Sequence, residues 1–76
     1  MTPCELSVGL VITRHDSFEA AFKELYKQLI ENPVNLQFLE TTIWIKPDGA
    51  PLPMMFYDAR DKACDLGLFK DGKPTW

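Results

Sequence analysis

The residues whose types could support catalysis begin with His15, the only histidine, and its neighbour Asp16. An imidazole oriented by a carboxylate can act as a general base. Adjacent side chains at a strand-to-helix turn rarely form that hydrogen bond, and Asp16 is well placed to cap a helix instead. We therefore predict no catalytic residue. One alternative stays open, a small-ligand-binding protein or enzyme that uses His15, Tyr57 and a carboxylate.

The two cysteines, Cys4 and Cys64, belong to no CxxC pair. Small disulfide scaffolds usually carry more cysteines, and a closed zinc site needs more histidine or cysteine ligands than this chain offers. A cysteine nucleophile would need His15 nearby and a lowered pKa. We expect Cys64, beside Ala63, to be a small core residue and Cys4 to be the more exposed thiol.

Three carboxylates, those of Asp58, Asp61 and Asp65, could share one helical face and hold Mg²⁺ or Ca²⁺. Their spacing does not match an EF-hand loop, and Arg60 and Lys62 lie between them. A capped, solvated helix accounts for them better. Because the chain also has no phosphate-binding loop, dinucleotide fingerprint or nucleophile elbow, we predict no metal site and no cofactor.

Length and composition indicate one folded domain spanning residues 1–76. The chain has 76 residues, 46% of them hydrophobic and 25% charged, with a formal net charge of −3. Its basic residues alternate with acids rather than forming a stripe, which disfavours direct nucleic-acid binding. No apolar run approaches the roughly 20 residues of a membrane span, and the N-terminal residues do not resemble a signal peptide. We expect a soluble, cytoplasmic protein.

Hydrophobic periodicity predicts a strand followed by an amphipathic helix. Residues 5–13 alternate as in a strand, with Gly9 indicating a bulge or a close neighbour. A helix follows over about residues 17–31, with Asp16 as its N-cap. The predicted inward faces comprise Leu6, Val8, Leu10 and Ile12 of the strand, and Phe18, Ala21, Phe22, Leu25, Leu29 and Ile30 of the helix.

Two further strands are predicted at residues 36–46 and 51–57, joined by a turn over residues 47–49. Pairing Lys46 with Pro51 sets Ile45 opposite Leu52 and keeps the aliphatic side chains on one face. Pro51 and Pro53 lack N–H groups on the same side of their strand, which indicates an edge strand.

A second helix is predicted over residues 58–66, with Asp58 as N-cap, Ala59, Ala63 and Leu66 on its buried side, and Gly67 at its end. Residues 68–76 are predicted to form a small hairpin or an extended tail. The expected fold is thus a small α+β domain with the order β-α-β-β-α. Its three-stranded mixed sheet has the second strand in the centre, parallel to the first through a right-handed crossover, and one main helix covers one face.

The uncovered face of this sheet is the predicted site. It carries five apolar residues, namely Trp44, Met55, Tyr57, Val11 and Pro53. Contiguous exposed aromatic and methionine surface usually marks a contact site. The alternative is that the C-terminal tail, with Phe69 and Trp76, folds over it.

The predicted function is a non-enzymatic protein–protein interaction module that self-associates or docks onto a partner. The contact uses this apolar sheet face or the edge of the first strand, by strand addition. A third alternative, suggested by small size and acidity, is an accessory inhibitor from a phage or mobile element that blocks a host protein.

Overall fold

The computed structural model describes residues 2–9, 11–33 and 42–76, and the α+β class is confirmed. Its four-stranded sheet has the order β2-β1-β3-β4 with every neighbouring pair antiparallel, and a separate β5-β6 hairpin follows. The elements along the chain are β1 (Cys4–Val8), β2 (Val11–His15), α1 (Phe18–Glu31), β3 (Trp44–Pro47), β4 (Met54–Met55), α2 (Phe56–Asp65), β5 (Phe69–Lys70) and β6 (Lys73–Pro74).

The predicted first strand is in fact a tight hairpin, so the sheet gains a fourth strand. The chain turns at Gly9, whose φ of 66° lies in the left-handed region, and Val8 then pairs with Val11. Two-residue hairpin connections need such positive φ values. After the turn the even-numbered side chains point to the opposite face of the sheet. Ile12 pairs with Ser7 and so lies on the face opposite to Leu6 and Val8.

The predicted mixed sheet is wrong for the same reason. Helix α1 connects β2 to β3. These two strands run in the same direction, because β1 is antiparallel to both. They are not neighbours, however, because β1 lies between them. Leu10 and residues 34–41 lie outside the described residues, and with them the first part of the predicted second strand, residues 36–41.

Helix α1 begins and ends within one residue of the predicted bounds, but its N-cap is Ser17 rather than Asp16. The Ser17 Oγ accepts a hydrogen bond from the Ala20 N–H at 3.2 Å. Five of the six predicted inward residues are buried. The exception is Ile30, which is 66% exposed.

The β3-β4 pairing confirms the predicted faces but not the register. Ile45 pairs with Met54 and Trp44 with Met55, two residues further along than predicted, which leaves Leu52 in an exposed loop. A shift of two residues keeps the parity of a strand. The edge position of β4 is confirmed.

Helix α2 starts at Phe56, directly after β4, so the predicted N-cap at Asp58 is wrong. Ala59 and Ala63 are buried as predicted, whereas Leu66 is exposed. The predicted C-terminal hairpin is confirmed. Its turn has Asp71 at φ 54° and Gly72 at φ 77°, the paired positive values typical of a type I′ turn.

One hydrophobic core lies between the sheet and the two helices. It is built from Leu6, Val8, Phe22, Leu25, Ile45 and Ala59 together with further buried apolar residues. The C-terminal tail packs on α1, because the rings of Phe69 and Trp76 both lie 6.1 Å from that of Phe22. The tail therefore covers the helix side and not the second sheet face. Among the described residues, no helix has the length and apolarity needed to cross a membrane.

Candidate interaction surfaces

The sheet face that points away from the core carries one apolar row and one charged row. The register aligns Ile12, Ser7, Trp44 and Met55 in the first row, and Arg14, Glu5 and Lys46 in the second. Because Leu6 and Ile45 face the core, alternation places these neighbours on the opposite side. We call this surface the helix-free face, since both described helices pack on the other side.

The five residues predicted from the sequence do not all meet on this face. Trp44 and Met55 are cross-strand partners on it, and both are half-buried. Val11 pairs with Val8 and so lies on the opposite face, a correction to the prediction. Tyr57 belongs to α2 rather than to a strand, and Pro53 precedes β4.

Ser7, Arg14 and Glu5 of the helix-free face have hydrogen-bond or ion-pair partners. The Ser7 hydroxyl donates to the Thr42 carbonyl at 2.9 Å. Arg14 donates from Nη2 to Asp48 at 2.8 Å and lies 3.9 Å from Glu5. The hydrogen bond and charge of Asp48 raise the pKa of the Arg14 guanidinium. The face thus holds a guanidinium, paired with two carboxylates, on the same strand as the exposed Ile12.

The outer edge of β2 is the second notable feature, and sequence reasoning missed its apolar character. Val11 is 59% exposed and Ile12 is 57% exposed. The strand contains five residues and no proline. The other edge of the sheet, β4, has only two residues and follows Pro51 and Pro53, which is the usual protection against strand addition.

Hydrogen-bond alternation shows which backbone groups of β2 point outward. The Asp48 N–H donates to the Pro3 carbonyl at 2.9 Å. In the β1–β3 register, the odd-numbered residues of β1 therefore form their backbone hydrogen bonds with β3. The even-numbered residues of β1 therefore bond to β2, through Val11, Thr13 and His15. The N–H and C=O groups of Ile12 and Arg14 are left facing the side of β2 on which no described strand pairs.

The residues singled out for catalysis are not brought together. His15 Nε2 lies 2.8 Å from the Thr13 hydroxyl, whereas Tyr57 lines a hollow between the two helices. The hollow that Tyr57 lines does not include His15, and neither do the three other best-defined clefts of the described residues. Over residues 2–9, 11–33 and 42–76, no three histidine, cysteine or acidic side chains cluster as a metal site would require.

The two thiols exchange the places predicted for them. Cys4 is buried in the core, and Cys64 is exposed. Cys4 also lines a cleft of about 570 Å³, together with Asp48 and Lys62. Burial raises the pKa of the Cys4 thiol, although Lys62 opposes this shift. A buried thiol with a raised pKa is a packing residue rather than a nucleophile.

No protein-family model, curated protein or solved structure matches this chain. Function must therefore be inferred from the surfaces themselves.

Proposed function

We propose that this chain is a non-enzymatic protein–protein interaction module that self-associates through the outer edge of β2. The observation that carries the proposal is an edge strand with outward backbone groups and two exposed aliphatic side chains, Val11 and Ile12. Edge strands with these properties add strands from another chain. The occupant we propose is β2 of a second copy.

Antiparallel pairing of two β2 strands around Thr13 is self-complementary. Ile12 then lies opposite Arg14 of the partner subunit, and the symmetric pair forms on the other side of the axis. These are the two residues whose backbone groups face outward, so each pair can exchange both of its N–H···O bonds. An isologous contact of this kind gives a closed dimer rather than a fibre.

The side chains support this register on both faces of the sheet. On the helix-free face, Ile12 packs beside the aliphatic part of Arg14 of the partner subunit, while Asp48 keeps each guanidinium paired within its own chain. On the core side, Val11 lies opposite His15 of the partner subunit. The two four-stranded sheets join into one continuous sheet, and the two Trp44–Met55 surfaces become parts of a single face.

Sedimentation equilibrium over a range of concentrations tests the proposal. We expect a monomer–dimer equilibrium in the wild type that Ile12→Lys shifts toward monomer, because a lysine on the edge strand opposes Arg14 of the partner subunit. Leu52→Lys is the matched control, since Leu52 is 75% exposed in the β3–β4 loop, away from this edge. A wild type that stays monomeric at high concentration contradicts self-association, as does equal dimerisation of the two variants.

A further inference from the structure

A second surface, distinct from the β2 edge, lies on the outer side of α1. A hollow of about 480 Å³ separates α1 from α2 and β5, and one of about 380 Å³ lies between α1 and the C-terminal residues. Tyr26 and Ile30 line both hollows, so the two form one elongated surface, which we call the aromatic groove. Ligand pockets commonly have volumes of about 300 to 1,000 Å³.

The groove exposes large apolar side chains that a monomer does not need at its surface. Ile30 is 66% exposed in its centre, with Trp76 at 49% and Tyr57 at 42% on its two sides. Exposed isoleucine flanked by tryptophan and tyrosine is typical of a contact site, because the aromatic rings offer large areas at little conformational entropy.

The walls of the groove are held in place before any partner binds. The Tyr26 ring lies 5.5 Å from the Phe69 ring and 6.0 Å from the Trp76 ring, both in edge-on geometry. Phe22 packs beneath all three rings. Such packing limits the side-chain ordering that binding would otherwise require.

The charge around the groove is positive, although the whole chain carries −3. Lys23 Nζ lies 5.7 Å from the centre of the Trp76 ring, and Arg60 Cζ lies 5.2 Å from that of Tyr57. Lys27 also lines the groove, and Glu31 is its one acidic residue. Lys23, Lys27 and Arg60 make no ion pair with other described residues. They remain available to the carboxylates of a partner.

We propose that the aromatic groove binds an acidic peptide segment of another protein, through two bulky apolar side chains flanked by Asp or Glu. The two hollows on either side of Tyr26 and Ile30 each accept one apolar anchor. The three cations around them select acidic flanking residues by charge complementarity. An elongated, open groove suits a peptide better than a small molecule, which would need to be more enclosed.

Phage display of random short peptides against the intact wild-type protein tests this proposal. We expect the enriched peptides to combine two bulky apolar residues with acids, and their affinity to fall as salt rises. Measured by fluorescence anisotropy, Ile30→Asp should weaken binding by roughly tenfold or more, because the apolar anchors lose their central contact. Arg60→Glu should also weaken binding, because it places a like charge beside the acidic flanking residues of the peptide. Leu66→Asp is the matched control, because Leu66 is an exposed leucine outside the groove.

The proposal is overturned if no peptide is enriched, if the enriched peptides are basic or lack apolar anchors, or if Ile30→Asp binds them as the wild type does. This surface lies away from β2, so Ile12→Lys should leave peptide binding unchanged. Failure of self-association and failure of the groove are thus distinguishable.

Discussion

Replacing Ile12 by a positive or by a negative residue distinguishes paired β2 strands from a less specific apolar contact. In the proposed register Ile12 lies opposite Arg14 of the partner subunit, whose cationic guanidinium is hydrogen-bonded to Asp48 within its own chain. Ile12→Lys places like charges opposite each other across the strands. Ile12→Glu removes the same apolar side chain but places opposite charges together.

The size of the effect follows from the exposure of Ile12. Complete burial of an isoleucine contributes about 1.5 to 3 kcal/mol, so covering the 57% that is exposed contributes about 1 to 1.5 kcal/mol in each copy. The dimer therefore loses about 2 to 3 kcal/mol in either variant, roughly 30- to 150-fold in its dissociation constant. Cross-strand charge pairs contribute about 0.2 to 1 kcal/mol each. With two symmetric pairs that each change from repulsive to attractive, the difference is at least about 0.8 kcal/mol, so the Glu variant should dimerise at least roughly fourfold more tightly than the Lys variant.

Sedimentation equilibrium of both variants at low and high salt measures this difference. We expect the gap between Glu and Lys to narrow as salt rises, because both charges are near the surface. Far-ultraviolet circular dichroism checks that each variant keeps its fold. If Ile12→Glu and Ile12→Lys weaken the dimer equally, β2 does not pair in this register and the reasoning from outward backbone groups is refuted.

Three other predictions concern the folded chain. Ser17→Ala should lower the free energy of unfolding by about 1 kcal/mol in urea titrations, whereas Asp16→Ala should change it by less than about 0.5 kcal/mol, because Ser17 is the N-cap. An equal loss of unfolding free energy in the two variants would contradict the assignment of Ser17 as the N-cap. Phe22→Ala should lower the free energy of unfolding by about 3 to 5 kcal/mol, since Phe22 is fully buried among four aromatic rings. Thermal melting measures the loss, which is a large part of the stability of a small domain. Iodoacetamide should modify Cys64 first, with Cys4 protected until the chain unfolds. Because burial raises the pKa of the Cys4 thiol above its ordinary value, the native state disfavours the thiolate, and the stability that Cys4 provides relative to Cys4→Ala should fall as the pH rises into the alkaline range. A flat difference would contradict this assignment.

The features predicted from the sequence were those set by local periodicity and side-chain parity. The bounds of α1 follow from its amphipathic spacing and from the proline after it. The opposite faces of Ile45 and Trp44 follow from alternation, which a register shift of two residues does not alter. The N-cap was misassigned because Asp16 and Ser17 are both good capping residues, and only the backbone conformation selects between them.

Features that depend on one turn or on distant packing were missed. Gly9 in a strand indicates a bulge or a close neighbour, whereas its positive φ belongs to a hairpin turn that moves Ile12 to the other face. Ile30 has the spacing of a core residue but is 66% exposed and lines the aromatic groove. The aromatic groove arises where α1, α2 and the C-terminal residues meet, and no local pattern encodes that meeting. The signal that was present is the pair of aromatic residues near the C-terminus, Phe69 and Trp76, which lie in a predicted tail able to cover an apolar surface.

The two proposed surfaces lie on different parts of the fold, and this has a consequence for binding strength. Helix α2 packs on β3 and β4, at the side of the sheet opposite to β2, and it forms one wall of the aromatic groove. No residue of β2 lines the groove, so we expect pairing of two β2 strands to leave both grooves of the dimer open. A target with two acidic apolar segments can then engage both grooves, and the second contact becomes intramolecular, with an effective concentration set by the linker between the segments. Ile12→Lys should remove this gain for a two-segment peptide and leave a single-segment peptide unaffected, whereas Ile30→Asp should weaken both.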